Sequence, residues 1–309
     1  MKRVGMSIFA LFLLLFIPQI VFCQINPDSG LVAHWGFDEG GGDTVYDSSG
    51  NGYNGTIYGA TWVDGITGNA LGFDGTNDYI DYGDILNNLF LPLTVSGWIY
   101  KRDSSHTVIF ASDNTSNYYG FRLKVGHNGH VSASYYDGGS CSPASRRSVE
   151  GSSAVSLNEW THVAVVMRGP IDMNIYINGL DVTNSYSGTG SGIVHANHHA
   201  MTGWERQCNT NYYSGDIIDE IRIYDRALNE EEIQFLSLPV INDSGYALNY
   251  TYPNNDYCYV GHSSAYNFST QLTFEALVFI DSSALGAGYI FSKWRHGYEN
   301  KYLYIEHDN

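Results

Sequence analysis

The sequence predicts an all-β protein built as an antiparallel sandwich. Short apolar or alternating runs are separated by Gly, Asn, Asp and Ser about every ten residues, a spacing typical of sandwiches rather than of βαβ units. Gly (34 residues) and Tyr (25) are abundant and Pro (7) is scarce, which suits strands and turns. With 309 residues and 43% hydrophobic content, the chain is long enough for one large β domain or two smaller ones.

The predicted elements follow one another as short strands with a single helix. Glu230–Leu236 predicts the helix, because Asn229 is a candidate N-cap, Glu232 follows three residues later, and the acidic first turn favours the helix dipole. Trp35, Trp98, Trp160 and Tyr176 are expected in the core. The predicted strands are Leu31–Phe37, Thr56–Trp62, Ala70–Phe73, Tyr79–Tyr82, Leu93–Tyr100, Thr107–Ser112, Tyr119–Val125, His130–Tyr136, His162–Met167, Met173–Ile177, His199–Thr202 and Ile217–Tyr224.

The N-terminal segment, residues 1–23, has the pattern of a cleaved signal peptide. Lys2 and Arg3 precede an uncharged apolar run, and Val21 and Cys23 occupy the −3 and −1 positions of a cut before Gln24. A lipoprotein signal with Cys23 as the lipidated residue is the alternative, although the bulky residue before that cysteine fits it badly. No later stretch is long and apolar enough to span a bilayer. We therefore expect a secreted, extracellular or cell-surface protein.

The charge balance argues against nucleic acid as a partner. Lys and Arg total 15 against 32 Asp and Glu, a net charge of −17, and loss of Lys2 and Arg3 with the signal peptide makes it −17 − 2 = −19. An acidic surface repels phosphate backbones.

A partial internal repeat divides the mature chain into residues 24–238 and 239–309. Ala70-Leu71, Asn77-Asp78-Tyr79 and Leu93-Thr94 reappear as Ala247-Leu248, Asn255-Asp256-Tyr257 and Leu272-Thr273, at an offset of 177 to 179 residues. Ile109–Ser112 parallels Ile290–Lys293, and Tyr119–Lys124 is echoed by Lys301–Ile305. The second copy lacks counterparts of the later strands, so we expect a truncated repeat with unpaired edges.

Seven motifs occur in order between Leu31 and Leu236: His34–Gly40, Asp47–Gly52, Ala70–Gly75, Asn77–Tyr79, Glu159–Ala164, Tyr176–Gly179 and Ile218–Tyr224. Together they resemble the LamG-like domains of the laminin G and concanavalin A-like lectin/glucanase superfamily. The resemblance implies a two-sheet antiparallel jelly roll, often with a structural calcium ion, used as a carbohydrate- or protein-binding module. It does not imply one activity, since enzymes, lectins and adhesion modules share this scaffold.

A structural calcium site is expected between an N-terminal turn and a late strand. Asp47, Ser49 and Asn51 place oxygen ligands at alternate positions of a turn, although such residues also form an Asx turn without metal. Asp219 alternates with Ile221 and Ile223, so its carboxylate is expected to point toward the core and to need a partner. Asp47 and Asp219 are the first candidate ligands, and Asp38, Ser49 and Asn51 are weaker ones.

The cysteines predict one disulfide. Cys141 and Cys208 lie in polar, loop-like stretches of the same predicted domain, and an oxidising compartment permits them to pair. Cys258 is then left over, and the cysteine spacings match no zinc motif.

No enzyme motif is apparent, so a non-catalytic binding module is favoured. The Glu-x-Asp-x-x-Glu pattern that delivers the two carboxylates of a glycanase on this scaffold is absent. His195-x-x-His198-His199 is a candidate metal cluster, although adjacent strand residues point opposite ways.

The partner that the loops favour is a polysaccharide or another glycan. The predicted loops Tyr135–Ser153 and Trp204–Tyr213 combine aromatic rings with polar side chains, the chemistry that holds sugars. The alternatives are adhesion to an extracellular protein and an accessory role beside a glycoside hydrolase domain. The candidate ligand-binding residues are Tyr135, Tyr136, Trp204, Tyr212 and Tyr213.

Overall fold

Two antiparallel sheets stack face to face in the computed structural model, which describes residues 28–238, 288–293 and 301–305. This architecture confirms the predicted all-β antiparallel sandwich. The chain divides into two units, Met1–Asn242 and Asp243–Asn309. The predicted signal peptide (1–23) and Cys258 lie outside the described residues.

Among the described residues, the first unit contains nineteen strands and one α-helix, numbered in chain order. The strands are β1 (Leu31–Trp35), β2 (Thr44–Val45), β3 (Gly55–Tyr58), β4 (Thr61–Asp64), β5 (Asn69–Gly72), β6 (Tyr79–Asp81), β7 (Leu93–Tyr100), β8 (Thr107–Ala111), β9 (Phe121–Val125), β10 (His130–Tyr136), β11 (Arg146–Ala154), β12 (Trp160–Gly169), β13 (Asp172–Ile177), β14 (Leu180–Asp181), β15 (Thr183–Gly188), β16 (Met201–Thr202), β17 (Trp204–Gln207), β18 (Thr210–Tyr213) and β19 (Ile217–Tyr224). The helix is α1 (Glu230–Leu236).

The strand order joins the beginning of the unit to its end. The eight-stranded sheet has the order β14-β13-β12-β7-β19-β5-β4, and β1 also pairs with β19, with Trp35 opposite Ile221. The nine-stranded sheet has the order β15-β11-β10-β9-β8-β16-β6-β3-β2. Strands β17 and β18 form a separate hairpin. The first and last strands of the sandwich therefore lie side by side, as the sequence predicts.

Alternation along the strands decides which side chains fill the space between the sheets. In β9, Phe121, Leu123 and Val125 belong to the core, and Arg122 and Lys124 between them face outward. Trp35 is fully buried in this core, beside Tyr82 and Phe110. The outer face of the nine-stranded sheet is consequently polar.

The helix covers part of the outer face of the eight-stranded sheet. Ile233 and Leu236 pack with Ala164, Val166 and Tyr176 in a second, smaller cluster. Asn229 and Glu232 form the expected capping box, each side chain accepting the backbone N–H of the other. Of the four aromatic residues assigned to the core, Trp35, Trp98 and Tyr176 are buried, whereas Trp160 is half-buried.

One predicted strand is two strands in the structure. Thr56–Trp62 divides into β3, in the nine-stranded sheet, and β4, in the eight-stranded sheet. The division falls at Gly59, whose φ is +82° and where a Cβ atom would lie 2.0 Å from Oδ1 of Asp78. An apolar run by itself does not reveal a change of sheet.

The two predicted loops are also mostly strands. Trp204–Tyr213 is the β17–β18 hairpin, whose turn residues Cys208 and Asn209 have φ values of +51° and +66°. Positive φ at both central residues is the geometry of a type I′ hairpin turn. The second half of Tyr135–Ser153 is β11. Cysteine is an unusual residue at positive φ, so the turn gives no clear signal in the sequence.

In the second unit, β20 (Gly288–Lys293) and β21 (Lys301–Ile305) form an antiparallel pair. These are the segments that echo β8 and β9, which also pair antiparallel. The truncated second repeat remains a prediction.

No helix among the residues that the structure describes is long and apolar enough to cross a membrane.

Candidate functional site

The β17–β18 hairpin lies across the outer face of the nine-stranded sheet. Its Glu205 carboxylate accepts hydrogen bonds from Arg122 (2.9 Å) and Lys124 (2.6 Å), the two outward residues of β9. Gln207 accepts a further bond of 2.6 Å from Arg122. The hairpin thereby separates the outer face into two regions, one on the β6 and β3 side and one on the β10, β11 and β15 side.

On the first side, four aromatic rings form a continuous series that we call the aromatic row: Tyr58, Tyr79, Trp204 and Tyr213. The ring centroids are 4.7 Å apart between Tyr58 and Tyr79, 5.4 Å between Tyr79 and Trp204, and 5.9 Å between Trp204 and Tyr213. Tyr58 is 46% exposed and the other three are half-buried. The row therefore places four partly accessible rings together on a sheet and a hairpin.

Glu205 and its two cations fix the hairpin electrostatically. All three side chains are at least nine-tenths buried. Burial opposes ionisation of Glu205, but the charges of Arg122 and Lys124 hold its pKa below the usual range. Burial and the neighbouring Arg122 guanidinium lower the pKa of Lys124. Two cations thus share one carboxylate.

A disulfide and a ring contact add to this attachment. Cys141 is bonded to Cys208, the pair that the sequence favours, with 5.6 Å between the Cα atoms. Because Cys208 lies in the hairpin turn, the bond ties the hairpin to the loop that precedes β11. The ammonium of Lys124 lies 4.8 Å from the centroid of Tyr212.

The structure separates the five aromatic residues assigned to ligand binding. Tyr135 is fully buried in the core, because strand alternation turns it inward. Tyr136 faces outward but is buried, stacked on Tyr118 at 4.7 Å. The sequence places both in an open loop, but that segment is the end of β10 and both side chains are buried. Trp204, Tyr212 and Tyr213 remain partly accessible on the hairpin. Tyr58 and Tyr79 were missed, since their strand positions are not distinctive in the sequence.

The turn containing Asp47, Ser49 and Asn51 satisfies its own polar groups. The Asp47 carboxylate accepts the backbone N–H groups of His34, Ser49 and Tyr53 and the Ser49 hydroxyl. These hydrogen bonds, His34 first among them, keep the pKa of Asp47 below its usual range despite burial. The side chains of Ser49 and Asn51 donate to the carbonyl of Val32. This donor pattern fits an Asx turn and does not fit a cation.

Asp219 is fully buried, but for a different reason from the one that the alternation predicts. A β-bulge lies between Asp219 and Arg222, and Glu220 has a φ of +52°. Ile218, rather than Asp219, shares the core face with Ile221. The Asp219 carboxylate instead accepts the backbone N–H groups of Ile66 (2.9 Å) and Glu220 (2.8 Å).

The β4–β5 turn brings Asp38 to the same segment as Asp219. Oδ1 of Asp38 accepts the backbone N–H of Asn69, and a Cβ atom at Gly65 would lie 2.5 Å from Oδ2 of Asp219. Burial and the Glu220 carboxylate raise the pKa of Asp219 to about 8, and burial also raises the pKa of Asp38. Asp219 is buried whereas Asp38 is exposed, and neither carboxylate has a salt bridge to a Lys, Arg or His side chain of the described part of the chain.

Three further candidate side chains, those of Glu220, His195 and His199, are already paired with charged neighbours. Glu220 contacts His34 (2.9 Å) and Arg222 (2.6 Å). His195 contacts Asp113, and His199 contacts Asp81, so the predicted histidine cluster does not converge. Within the described residues, no group of three or more His, Cys, Asp or Glu side chains is arranged to hold a metal ion. A site at Asp38 and Asp219 therefore requires further ligands from backbone carbonyls or water.

Comparisons with known proteins identify the fold. A family model described as the concanavalin A-like lectin/glucanases superfamily matches residues 74–234, slightly more than half of the chain. No curated protein matches the sequence.

Among solved structures, the binding domain of Paraclostridial Mosquitocidal Protein 1 aligns with a TM-score of 0.51 and 19% identity, over 69% of this chain and 52% of that one. The binding domain of botulinum neurotoxin serotype C1 aligns with a TM-score of 0.50 and 15% identity, over 69% and 52%. A Trypanosoma rangeli sialidase mutant displaying trans-sialidase activity aligns with a TM-score of 0.50 and 17% identity, over 69% and 33%. The chain spans about half the length or less of these structures, and the likeness shows the fold alone.

Proposed function

Because this chain belongs to the concanavalin A-like lectin/glucanases superfamily, we propose that it is a non-catalytic carbohydrate-binding module of an extracellular or cell-surface protein. The observation that carries the proposal is the aromatic row. Sugar rings stack their C–H faces on accessible aromatic rings, and rings on strands are held in place without a loss of conformational entropy on binding. Two of the three similar structures described above are binding domains, which supports a binding role.

The competing functions are protein adhesion and an accessory role beside a glycoside hydrolase domain. A stable protein interface needs about 800 Å² on each partner, whereas the row consists of four rings, three of which are half-buried. The sialidase among the similar structures keeps the accessory role open. A non-catalytic role is supported by the absence of a paired-carboxylate motif from the sequence.

Glycan-array screening followed by calorimetry tests the proposal with three variants. Tyr58→Ala and Trp204→Ala are expected to weaken binding of a neutral glycan about tenfold or more, because each removes a stacking surface. Tyr46→Ala is the matched control, since Tyr46 is 59% exposed and lies outside the row. Circular dichroism confirms that each variant is folded. Glycan binding that survives both row substitutions contradicts the assignment, and binding of an extracellular protein alone favours adhesion.

We also propose a structural calcium ion held by Asp38 and Asp219 beside the β4–β5 turn. A hard cation would pair with the buried Asp219 carboxylate, which the Glu220 carboxylate repels, and with the exposed Asp38 carboxylate, and would tie β19 to the turn. Asp47, Ser49 and Asn51 are left out of this proposal, because the Asp47 carboxylate accepts backbone N–H groups and the side chains of Ser49 and Asn51 donate hydrogen bonds to the carbonyl of Val32.

Thermal melting with calcium or a chelator tests the calcium proposal. We expect calcium to raise the melting temperature of the unaltered chain and of Asp47→Asn, but not that of Asp219→Asn. A melting temperature that calcium and chelator both leave unchanged removes the proposal, without affecting the proposed glycan binding.

A further inference from the structure

The second region of the outer face, between β9 and the edge strand β15, is a groove of about 250 Å³. We call it the serine groove, because paired strands place serines in rows across it. Ser134 of β10 lies opposite Ser148 of β11, which lies opposite Ser187 of β15. The hydroxyls of Ser134 and Ser148 are 2.7 Å apart. The floor of the groove is therefore made of small hydroxyl groups.

Positive charge accumulates at one end of this floor. Arg122 lies opposite Ser134 in the β9–β10 pairing, and Arg146 lies opposite Tyr136. Arg122 is only 7% exposed, and its Nε has no hydrogen-bond partner among the described residues. The Nε of Arg146 is likewise buried without a partner. Unpaired buried donors of this kind are costly unless a ligand or water satisfies them.

The charge balance of the cluster leaves room for one more negative group. Glu205 neutralises one charge of Arg122 and Lys124, and Arg146 makes no ion pair with a carboxylate of the described residues. Glu150 lines the other end of the groove, but its side chain is 45% exposed and accepts a hydrogen bond from Asn128. An anion would therefore bind at the Arg122 and Arg146 end.

We propose that the serine groove binds the carboxylate or sulfate group of an acidic saccharide. The inference rests on the proposed carbohydrate binding and adds a ligand class and a second contact surface. Guanidinium groups bind carboxylates and tetrahedral oxyanions through paired N–H donors, and serine hydroxyls bond both to oxyanions and to sugar hydroxyls. The overall charge of −17 repels polyanions elsewhere on the surface, so binding would depend on this local cluster.

The test compares saccharides that differ only in charge. Oligogalacturonate and its methyl ester form one pair, and sulfated and desulfated carrageenan oligosaccharides, which carry no carboxylate, form the other. Calorimetry at low and moderate salt measures affinity for the full chain and for Arg146→Gln. We expect at least one acidic member to bind tenfold or more tightly than its neutral counterpart, with Arg146→Gln removing that difference. The pair that shows the difference identifies carboxylate or sulfate as the anion.

Two further variants keep the result interpretable. Ser187→Glu places a negative charge on an exposed edge-strand position and is expected to weaken acidic ligands without unfolding the chain. Arg168→Gln is the matched control, because Arg168 lies on the other sheet and contacts Asp172. Equal binding of charged and neutral members, or acidic binding unchanged by Arg146→Gln and Ser187→Glu, overturns the inference.

The failure of this inference is distinguishable from that of the proposed function. If neutral glycans bind through Tyr58 and Trp204 but acidic ones gain nothing, only the serine groove assignment is wrong. If no glycan binds at all, both proposals are wrong.

Discussion

Replacing Glu205 by Gln tests whether the buried ion cluster attaches the hairpin to the sheet. The carboxylate is 2% exposed and contacts two cations, at 2.9 Å and 2.6 Å, which are themselves no more than 10% exposed. Removing one partner of a buried ion pair costs about 3–5 kcal/mol, because the other charge is left uncompensated. Lys124 already has a lowered pKa and can lose its proton, so we expect a value near the lower end of this range.

The measurement is thermal and urea unfolding followed by circular dichroism. A loss of about 3 kcal/mol corresponds to a fall in melting temperature of roughly 6–12 °C for a domain of this size. Glu150→Gln is the control, since this carboxylate is exposed and should change stability by less than about 1 kcal/mol. Glu205→Gln combined with Lys124→Met should recover part of the loss, because it removes the unpaired ammonium.

The pH dependence provides a second check on the same residue. The pKa of Glu205 is depressed in the folded state. The stability that its carboxylate contributes is therefore present above the unfolded-state pKa of about 4.3 and is lost as the pH falls through the folded-state pKa. The difference between the unaltered chain and Glu205→Gln should therefore shrink in acid. A melting temperature for Glu205→Gln within about 2 °C of the unaltered chain at neutral pH would refute the reasoning.

Two further predictions concern the same part of the molecule. Replacing Cys141 and Cys208 by Ser removes a bond across 67 residues, for which the chain-entropy relation gives about 4 kcal/mol, and should lower the urea midpoint; an unchanged midpoint would mean that the bond is absent in solution. His195 is buried, and despite that burial its hydrogen bonds to Asp113 (2.7 Å) and to the carbonyl of Leu89 (2.8 Å) raise its pKa. The stability that His195 contributes should be complete below its unfolded-state pKa of about 6.5 and should be lost as the pH rises through its folded-state pKa. His195→Gln should therefore destabilise the fold more at pH 6 than at pH 9. A pH-independent difference in urea unfolding would contradict this.

Local sequence pattern was sufficient for the strands and the helix. The apolar or alternating runs Leu93–Tyr100, His130–Tyr136 and Ile217–Tyr224 have bounds that agree with β7, β10 and β19. The capping residues of α1 lie within four consecutive positions of the chain, so the sequence alone predicts the cap. The division at Gly59 was missed, because an apolar run carries no information about which sheet each half joins.

The candidate site depended on contacts between distant segments. Arg122 and Lys124 meet Glu205 more than 80 residues later in the chain, and the aromatic row combines residues from β3, β6 and a hairpin. Likewise, Asp47 resembled a metal ligand until the backbone N–H groups around its carboxylate were known. The sequence by itself determined the layered architecture, because alternation is a property of neighbouring residues. Only the tertiary structure decided which polar and aromatic groups are accessible, because pairing between remote strands and the bulge at Glu220 set their positions.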